Sequence, residues 1–284
     1  VEKGEIMKNP KILYILISIF CVFAIIAGIY AQVIADSEET DFANVQHTNQ
    51  IQELTQTEII NDFNDLFTNT LNLNGYDTTG IQKLNPDQEI VFSAYDRQES
   101  TDGYDINIHI PAININSELA TTLNETTQAT FINKANEILQ KEDYSTKTIY
   151  SIDFTAYVNS DILSLVIRST LKEGNSSQRI IVQTYNYNLR TNEQVSLNDI
   201  ITLKQLNRDE VNAKIKEVVT IANQEDEALQ SMGYDQVYIR DLNSLIYTVD
   251  YATGYFLGPN QELYIVYAYG NGEFTSKMDI VLFE

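Results

Sequence analysis

The chain has 284 residues, of which 40 are acidic and 18 basic, so its formal net charge is −22. Nucleic-acid phosphates must be met by clustered Lys and Arg, and this charge balance therefore excludes nucleic acid as a partner. A single cysteine excludes a disulfide framework and a Cys-rich zinc module. The hydrophobic content of 43% is enough for a folded core.

The N-terminal segment predicts a membrane anchor. Ile12 to Ala31 carries no charge, and a helix of ~20 residues spans the ~30 Å hydrocarbon core of a bilayer. Lysines precede this run and acidic residues follow it. We therefore expect a single-pass membrane protein with a short cytoplasmic tail at 1–11, an anchor at 12–35 and an extracytoplasmic body. The alternative is a signal peptide cleaved near Ala35, which would release the body as a secreted protein.

The exported part begins with a juxtamembrane spacer and an amphipathic helix, which together make up residues 36–88. Apolar residues recur at intervals of three or four positions from Ile51 to Leu71, which is typical of an amphipathic helix. The pair Asn74-Gly75 predicts the end of that helix.

A strand–helix subdomain is predicted next, at residues 89–145. Two extended runs, at 89–95 and 104–110, flank a polar stretch with the hairpin signal Asp-Gly and predict an antiparallel pair. Ser117 then offers an N-cap for a helix that reaches about Gln140.

The last predicted domain, residues 146–284, has its own strands and helix. Residues 148–189 predict an antiparallel meander of three strands. Asn207 and Glu210 predict the start of a helix that ends in the polar run 223–227. Short strands are predicted to close the chain, at 244–251, 254–257, 262–269 and 278–283. Helices in blocks between runs of strands favour an α+β fold with antiparallel sheets and packed helices.

One part of this domain resembles a known family. The segments that carry the resemblance are Thr184-Tyr185-Asn186-Tyr187-Asn188-Leu189, Val195-Ser196-Leu197-Asn198-Asp199-Ile200 and the closing runs Phe256–Pro259 and Leu263–Tyr267. They resemble the exported domain of the RsiV-type anti-sigma factors, which also stands beside the catalytic domain of the peptidoglycan deacetylase PdaC. The resemblance covers about residues 89–284.

The resemblance implies an α+β module outside the membrane of a Gram-positive-type cell envelope. In the RsiV case the domain senses lysozyme by binding it, which implies a cationic protein as one candidate partner. Three departures limit the transfer of function. A tail of eleven residues is too short to hold a sigma factor, a deacetylase domain is absent, and Ala268-Tyr269-Gly270 stands where the family has an acidic residue after the tyrosine.

The sequence predicts no catalytic residue, no metal site and no cofactor. The two histidines, His47 and His109, stand far apart without metal-ligand or triad spacing. No Gly-rich phosphate loop or EF-hand spacing is present. Two carboxylates facing each other across a cleft would be able to hydrolyse a glycoside, and no motif in the sequence marks such a pair.

Tyrosine is the one enriched residue type, with 18 in the chain. Tyr185 and Tyr187 are predicted to share one strand face, and Tyr267 and Tyr269 another. Clustered tyrosines present rigid amphipathic area to a protein or glycan, so these four are the candidate binding residues. The alternative interpretation is that tyrosine simply suits half-buried strands.

Together these observations predict a non-enzymatic, membrane-anchored binding or sensing module of a bacterial cell envelope. Its partner is expected to be a cationic protein such as lysozyme, or a cell-wall component. Two alternatives stay open, which are an accessory peptidoglycan-modifying enzyme and a secreted structural protein.

Overall fold

The computed structural model describes residues 55–141, 145–235, 237–268 and 276–284. The predicted tail, membrane anchor and spacer, at 1–50, lie outside the described residues. Within the described ranges, no helix combines the length and the hydropathy that crossing a bilayer requires.

The described residues form two sheets with helices packed on them, so the predicted α+β class is confirmed. The larger sheet consists of β1 (Leu71–Asn72), β2 (Val91–Ser100), β3 (Tyr104–Ile113), β4 (Thr148–Asn159), β5 (Ile162–Glu173), β6 (Arg179–Asn188) and β7 (Glu193–Gln194). Its strand order is β2-β3-β4-β5-β6-β7, with β1 also paired to β4. The predicted hairpin and meander are confirmed as antiparallel pairings within this sheet.

Two pairings at β4 are parallel, although antiparallel pairing dominates the described sheets. β3 runs parallel to the first half of β4 and β1 runs parallel to its second half, so both occupy one edge of the strand. Asn69 hydrogen-bonds to β4 between these two pairings. Its Oδ1 accepts from the N–H of Phe154, and its backbone N–H donates to the Phe154 carbonyl. A helical crossover connects β3 to β4, and a crossover of this kind returns the chain in parallel.

That crossover is the helix predicted from Ser117 to Gln140. It consists of α2 (Glu118–Thr127), a π-helical turn (Gln128–Ile132) and α3 (Asn133–Leu139). The N-cap is confirmed, since the N–H of Ala120 donates to Ser117 Oγ at 3.1 Å. Phe131 and Ala135 are completely buried against Ile152 and its neighbours on one face of the larger sheet. This helical layer therefore covers that face.

The smaller sheet is antiparallel and consists of β8 (Gly254–Leu257), β9 (Leu263–Tyr267) and β10 (Asp279–Phe283). One of its faces packs on α4 (Leu197–Leu203) and α5 (Arg208–Ser231). Its other face packs on the larger sheet through buried residues that include Val166, Phe256 and Val266. The described layers therefore follow the order helix, sheet, sheet, helix.

The α1 helix (Gln56–Asp65) packs at the junction of the two sheets. Gln56 fastens it to the edge of β10, because its side-chain amide donates to the Ile280 carbonyl and accepts from the Ile280 N–H at 2.8 and 2.7 Å. The predicted helix continued to Asn74, but α1 ends at Asp65. Asn69, with a φ of 58°, then turns the chain into β1.

Two further predictions are corrected by the structure. Residues 244–251 were predicted to form a strand, but they form a loop that ends in a 3-10 turn at Val249–Tyr251. The N–H of Val249 donates to Asn212 Oδ1 on α5, so this backbone binds a helix and not a neighbouring strand. The second correction concerns α5, which was predicted to end in 223–227 and continues to Ser231.

Candidate functional site

The C-terminal half of α5 exposes apolar side chains on the side that faces away from the small sheet. Ile221 and Met232 are 46% and 73% exposed, and Leu229 is 42% exposed. Positions four and eleven residues apart share one side of a helix, so Ile221, Glu225 and Met232 form a stripe with Leu229 at its flank. We call Ile221, Glu225, Leu229, Met232 and the following Tyr234 the α5 outer face.

Tyr234 joins this face because of the way in which α5 ends. The N–H of Tyr234 donates to the Leu229 carbonyl and that of Gly233 donates to the Gln230 carbonyl, which is a Schellman motif. Gly233 takes a φ of +94°, which glycine adopts at little cost. This motif commonly brings its last residue against the one five positions earlier, here Tyr234 and Leu229. Tyr234 is 61% exposed and so extends the apolar surface.

The opposite side of the same half-helix is held by a buried guanidinium. Arg240 donates through Nε to both carboxylate oxygens of Asp279 on β10, at 2.9 and 3.0 Å. Its Nη1 donates to Asp226 on α5 at 2.7 Å, and its backbone N–H donates to Asn223 Oδ1. We call Arg240, Asp279, Asp226 and Asn223 the arginine clamp.

The arginine clamp explains why α5 continues past the polar run at which it was predicted to end. Asn223 and Asp226 lie one turn apart on its inner side, and both have a buried partner in Arg240. Burial by itself would lower the pKa of the guanidinium, but Asp279 and Asp226 outweigh that effect and raise the pKa. The clamp therefore stays ionised and fixes the rotation of the helix, and with it the direction of the α5 outer face.

The outer face stands in a strongly acidic stretch. From residue 217 to residue 241 the chain has six acidic residues and one basic residue, Arg240, which the clamp already neutralises. The last turn of α5 has no basic residue, although the negative end of a helix dipole favours cations there. A surface with this charge and with exposed apolar side chains can attract a cationic protein and give it apolar contact area.

A cleft of about 320 Å³ lies beside the first half of α5. Asn212, Lys216, Asn243, Ser244 and Leu245 are among the residues that line it. The side chains of Asn212, Lys216, Asn243 and Ser244 can form hydrogen bonds with a small ligand, and the lining contains no carboxylate, histidine or cysteine.

The predicted tyrosines lie in the interior of the protein. Tyr185 and Tyr187 share one face of β6, as predicted, and that face packs on the α2 layer. Thr127 donates to the Tyr185 hydroxyl. The Tyr187 hydroxyl donates to Asn192 Oδ1 and lies 3.0 Å from Ser117 Oγ. Burial raises the pKa of the Tyr185 hydroxyl.

Tyr267 is also buried, on the side of the small sheet that faces α5. It is 1% exposed, and its hydroxyl donates to the Thr248 carbonyl. Tyr269 lies outside the described residues. Since the three described tyrosines expose almost no ring surface, we place the candidate surface on the α5 outer face, and tyrosine-mediated binding stays a prediction.

His109 lies on the polar side of β3, next to Asp96 on β2. Its Nδ1 is 2.7 Å from Asp96 Oδ1, and Ser93 Oγ donates to the same oxygen at 2.5 Å. A catalytic triad needs the serine at the second imidazole nitrogen, so this arrangement does not form one. Among the described residues, no group of three or more His, Cys, Asp or Glu is placed to hold a metal ion.

No protein-family profile matches the sequence, and a comparison with curated proteins also gave no match. Among solved structures, the fold is similar to a DUF3298 family protein from Pseudomonas aeruginosa PAO1, with 12% sequence identity and a TM-score of 0.36, over 64% of this chain and 82% of that one. It is also similar to a DUF3298 family member from Bacteroides fragilis, with 13% identity and a TM-score of 0.31, over 64% of this chain and 80% of that one.

Proposed function

We propose that the chain is a membrane-anchored, non-enzymatic binding module on the outer side of a bacterial cell membrane, and that its partner is a cationic protein. The α5 outer face is the docking surface in this proposal. The observation that carries it is the set of exposed apolar side chains, led by Met232, inside an acidic stretch. The relationship to RsiV-type domains belongs to the same proposal and rests on the sequence motifs.

Charge complementarity selects the partner. A net charge of −22 favours the approach of a basic protein by long-range attraction and opposes the approach of an anionic wall polymer. The apolar side chains then supply contact area that water otherwise covers. Binding should therefore have a salt-sensitive association step and a contribution from apolar contact at α5.

The first test is a calorimetric titration of the full chain, in detergent, with lysozyme as the cationic probe. We expect saturable binding with a Kd in the micromolar range or below, which weakens as NaCl is added. If the titration gives no heat and a second method also detects no binding, lysozyme is excluded as the partner. A peptidoglycan fragment run in parallel tests the wall component.

Substitutions at matched exposed positions test where the partner binds. Met232→Gln removes apolar area without a change in charge, and we expect about a fivefold loss of affinity, or ~1 kcal/mol. Leu245→Gln is the control, because Leu245 is 72% exposed but borders the cleft on the other flank of the helix. An equal effect of both substitutions would show that the partner does not dock on the α5 outer face.

The location of the module needs a separate experiment. Protease added to intact cells should remove the body of an extracytoplasmic, anchored protein and leave a short membrane-bound fragment. A chain that survives this treatment while a known surface protein is cleaved would contradict the proposed location. A full-length body in the culture medium would favour the cleaved signal peptide.

A further inference from the structure

The outer edge of β6 is open over its first half. β5 pairs with β6 along its whole length, whereas β7 pairs only with Tyr187 and Asn188 on the other edge. Thr184 and Asn186 contact β8 through their side chains. Among the described residues, no strand pairs with the outer edge from Arg179 to Gln183.

Two other outer edges in the described sheets carry protection that β6 lacks. The β2 edge has a bulge between Ser93 and Tyr95 and charged residues beyond it. The β10 edge is occupied at Ile280 by the Gln56 amide. Bulges, charges and covering groups are common devices against unwanted strand pairing. Residues 180–182 of β6 are instead Ile, Ile and Val, and Ile181 is 49% exposed.

The backbone of this open edge is oriented for pairing. The Asn186 carbonyl accepts from the N–H of Val195 across the outer edge. Backbone groups of alternate residues point in the same direction, so those of Ile180 and Val182 also point outward. The Oε1 atom of Gln183 is buried and has no hydrogen-bond partner among the described residues.

We propose that this edge pairs with the same edge of a second copy of the chain, antiparallel and centred on Ile181. In that register, Ile180 of one copy stands opposite Val182 of the other, and these residues exchange the outward backbone hydrogen bonds. Arg179 stands opposite Gln183 of the second copy and keeps its ion pair with Glu173 of its own copy. The arrangement is two-fold symmetric, so it closes at a dimer with one continuous sheet.

The register makes a specific prediction for crosslinking. The Ile181 side chains face each other as a non-hydrogen-bonded pair, where Cα atoms are ~4.5 Å apart, within the range that a disulfide spans. In a Cys21→Ser background, Ile181→Cys should form a covalent dimer on mild oxidation. Ile149→Cys is the control, because Ile149 is similarly exposed at 46% but lies on β4. Crosslinking of both variants to the same extent would overturn the proposal.

Sedimentation of the full chain in density-matched detergent gives the second measurement. We expect a concentration-dependent dimer, weakened about tenfold or more by Ile181→Lys and unaffected by Ile149→Lys. Added salt should strengthen the dimer, because each copy carries a net charge of −22. The proposal would be overturned by a monomer at every concentration and salt level, or by a dimer that Ile181→Lys leaves intact.

The two proposals fail independently. Salt should weaken the binding of a cationic protein and strengthen the dimer. Met232→Gln should affect only the first, and Ile181→Lys only the second.

Discussion

The two halves of α5 are fastened to the rest of the protein in different ways. The first half packs Val211, Ile215 and Val219 into the apolar layer above the small sheet. The second half is attached mainly through Asn223 and Asp226, which bind the buried Arg240. Aliphatic packing is non-directional, whereas hydrogen bonds fix an angle. A polar attachment can therefore orient a helix whose other side stays open to solvent.

A substitution in the polar attachment should reduce the unfolding free energy more than a substitution in the apolar attachment. Arg240→Met leaves Asp279, which is 1% exposed, as an unpaired buried charge, and we expect a loss of about 3–5 kcal/mol of unfolding free energy. The double variant Arg240→Met with Asp279→Asn should recover part of this loss because the buried charge is gone. Urea denaturation measures the unfolding free energy of the single and the double variant. A single variant as stable as the wild type would show that the clamp does not hold α5.

The apolar attachment is tested by one position in each half of the helix. Ile215→Ala removes a side chain with no solvent exposure and should cost about 2–5 kcal/mol. Ile221→Ala, at a position that is 46% exposed, should change stability by no more than about 0.5 kcal/mol. Similar losses at both positions, measured by thermal or urea unfolding, would mean that the second half is packed as firmly as the first.

The smallest expected change in stability comes from a substitution at the C-terminal end of α5, which is the negative end of the helix dipole. Gln230 is exposed in the last turn of α5, where no basic residue stands. Gln230→Lys should raise stability by about 0.3–1 kcal/mol because a cation complements the helix dipole. Gln224→Lys, nearly two turns before the last turn's end, is the control and should have a smaller effect on thermal unfolding, because the dipole effect is confined to the last turn. A loss of stability at position 230 would contradict the dipole argument.

The antiparallel strands and the long crossover helix were predictable because apolar alternation and the Ser117 cap are local signals. The end of α5 was predicted too early. A polar run normally favours the end of a helix, and the partner that retains it, Arg240, follows in a loop without a local signal. Gly233 was the available indicator of the true end, since glycine favours the left-handed conformation found there.

Candidate binding residues were harder to predict from the sequence. Tyrosines were selected by residue type, but Tyr187 and Tyr267 contribute to the core through their rings and satisfy their hydroxyls internally. The α5 outer face was missed because Leu229, Met232 and Tyr234 follow the run in which the helix was predicted to end, and Ile221 alone precedes it. Exposure depends on which side of a helix is covered, and that is a property of tertiary structure.

The bond between Gln56 and Ile280 joins positions 224 residues apart, and it has a consequence for the order in which the chain folds. During synthesis, Gln56 on α1 cannot form this pair until the last strand, β10, has been made. Contacts of such long sequence separation slow folding. A nascent or truncated chain that lacks its final residues would therefore leave α1 without its anchoring partner.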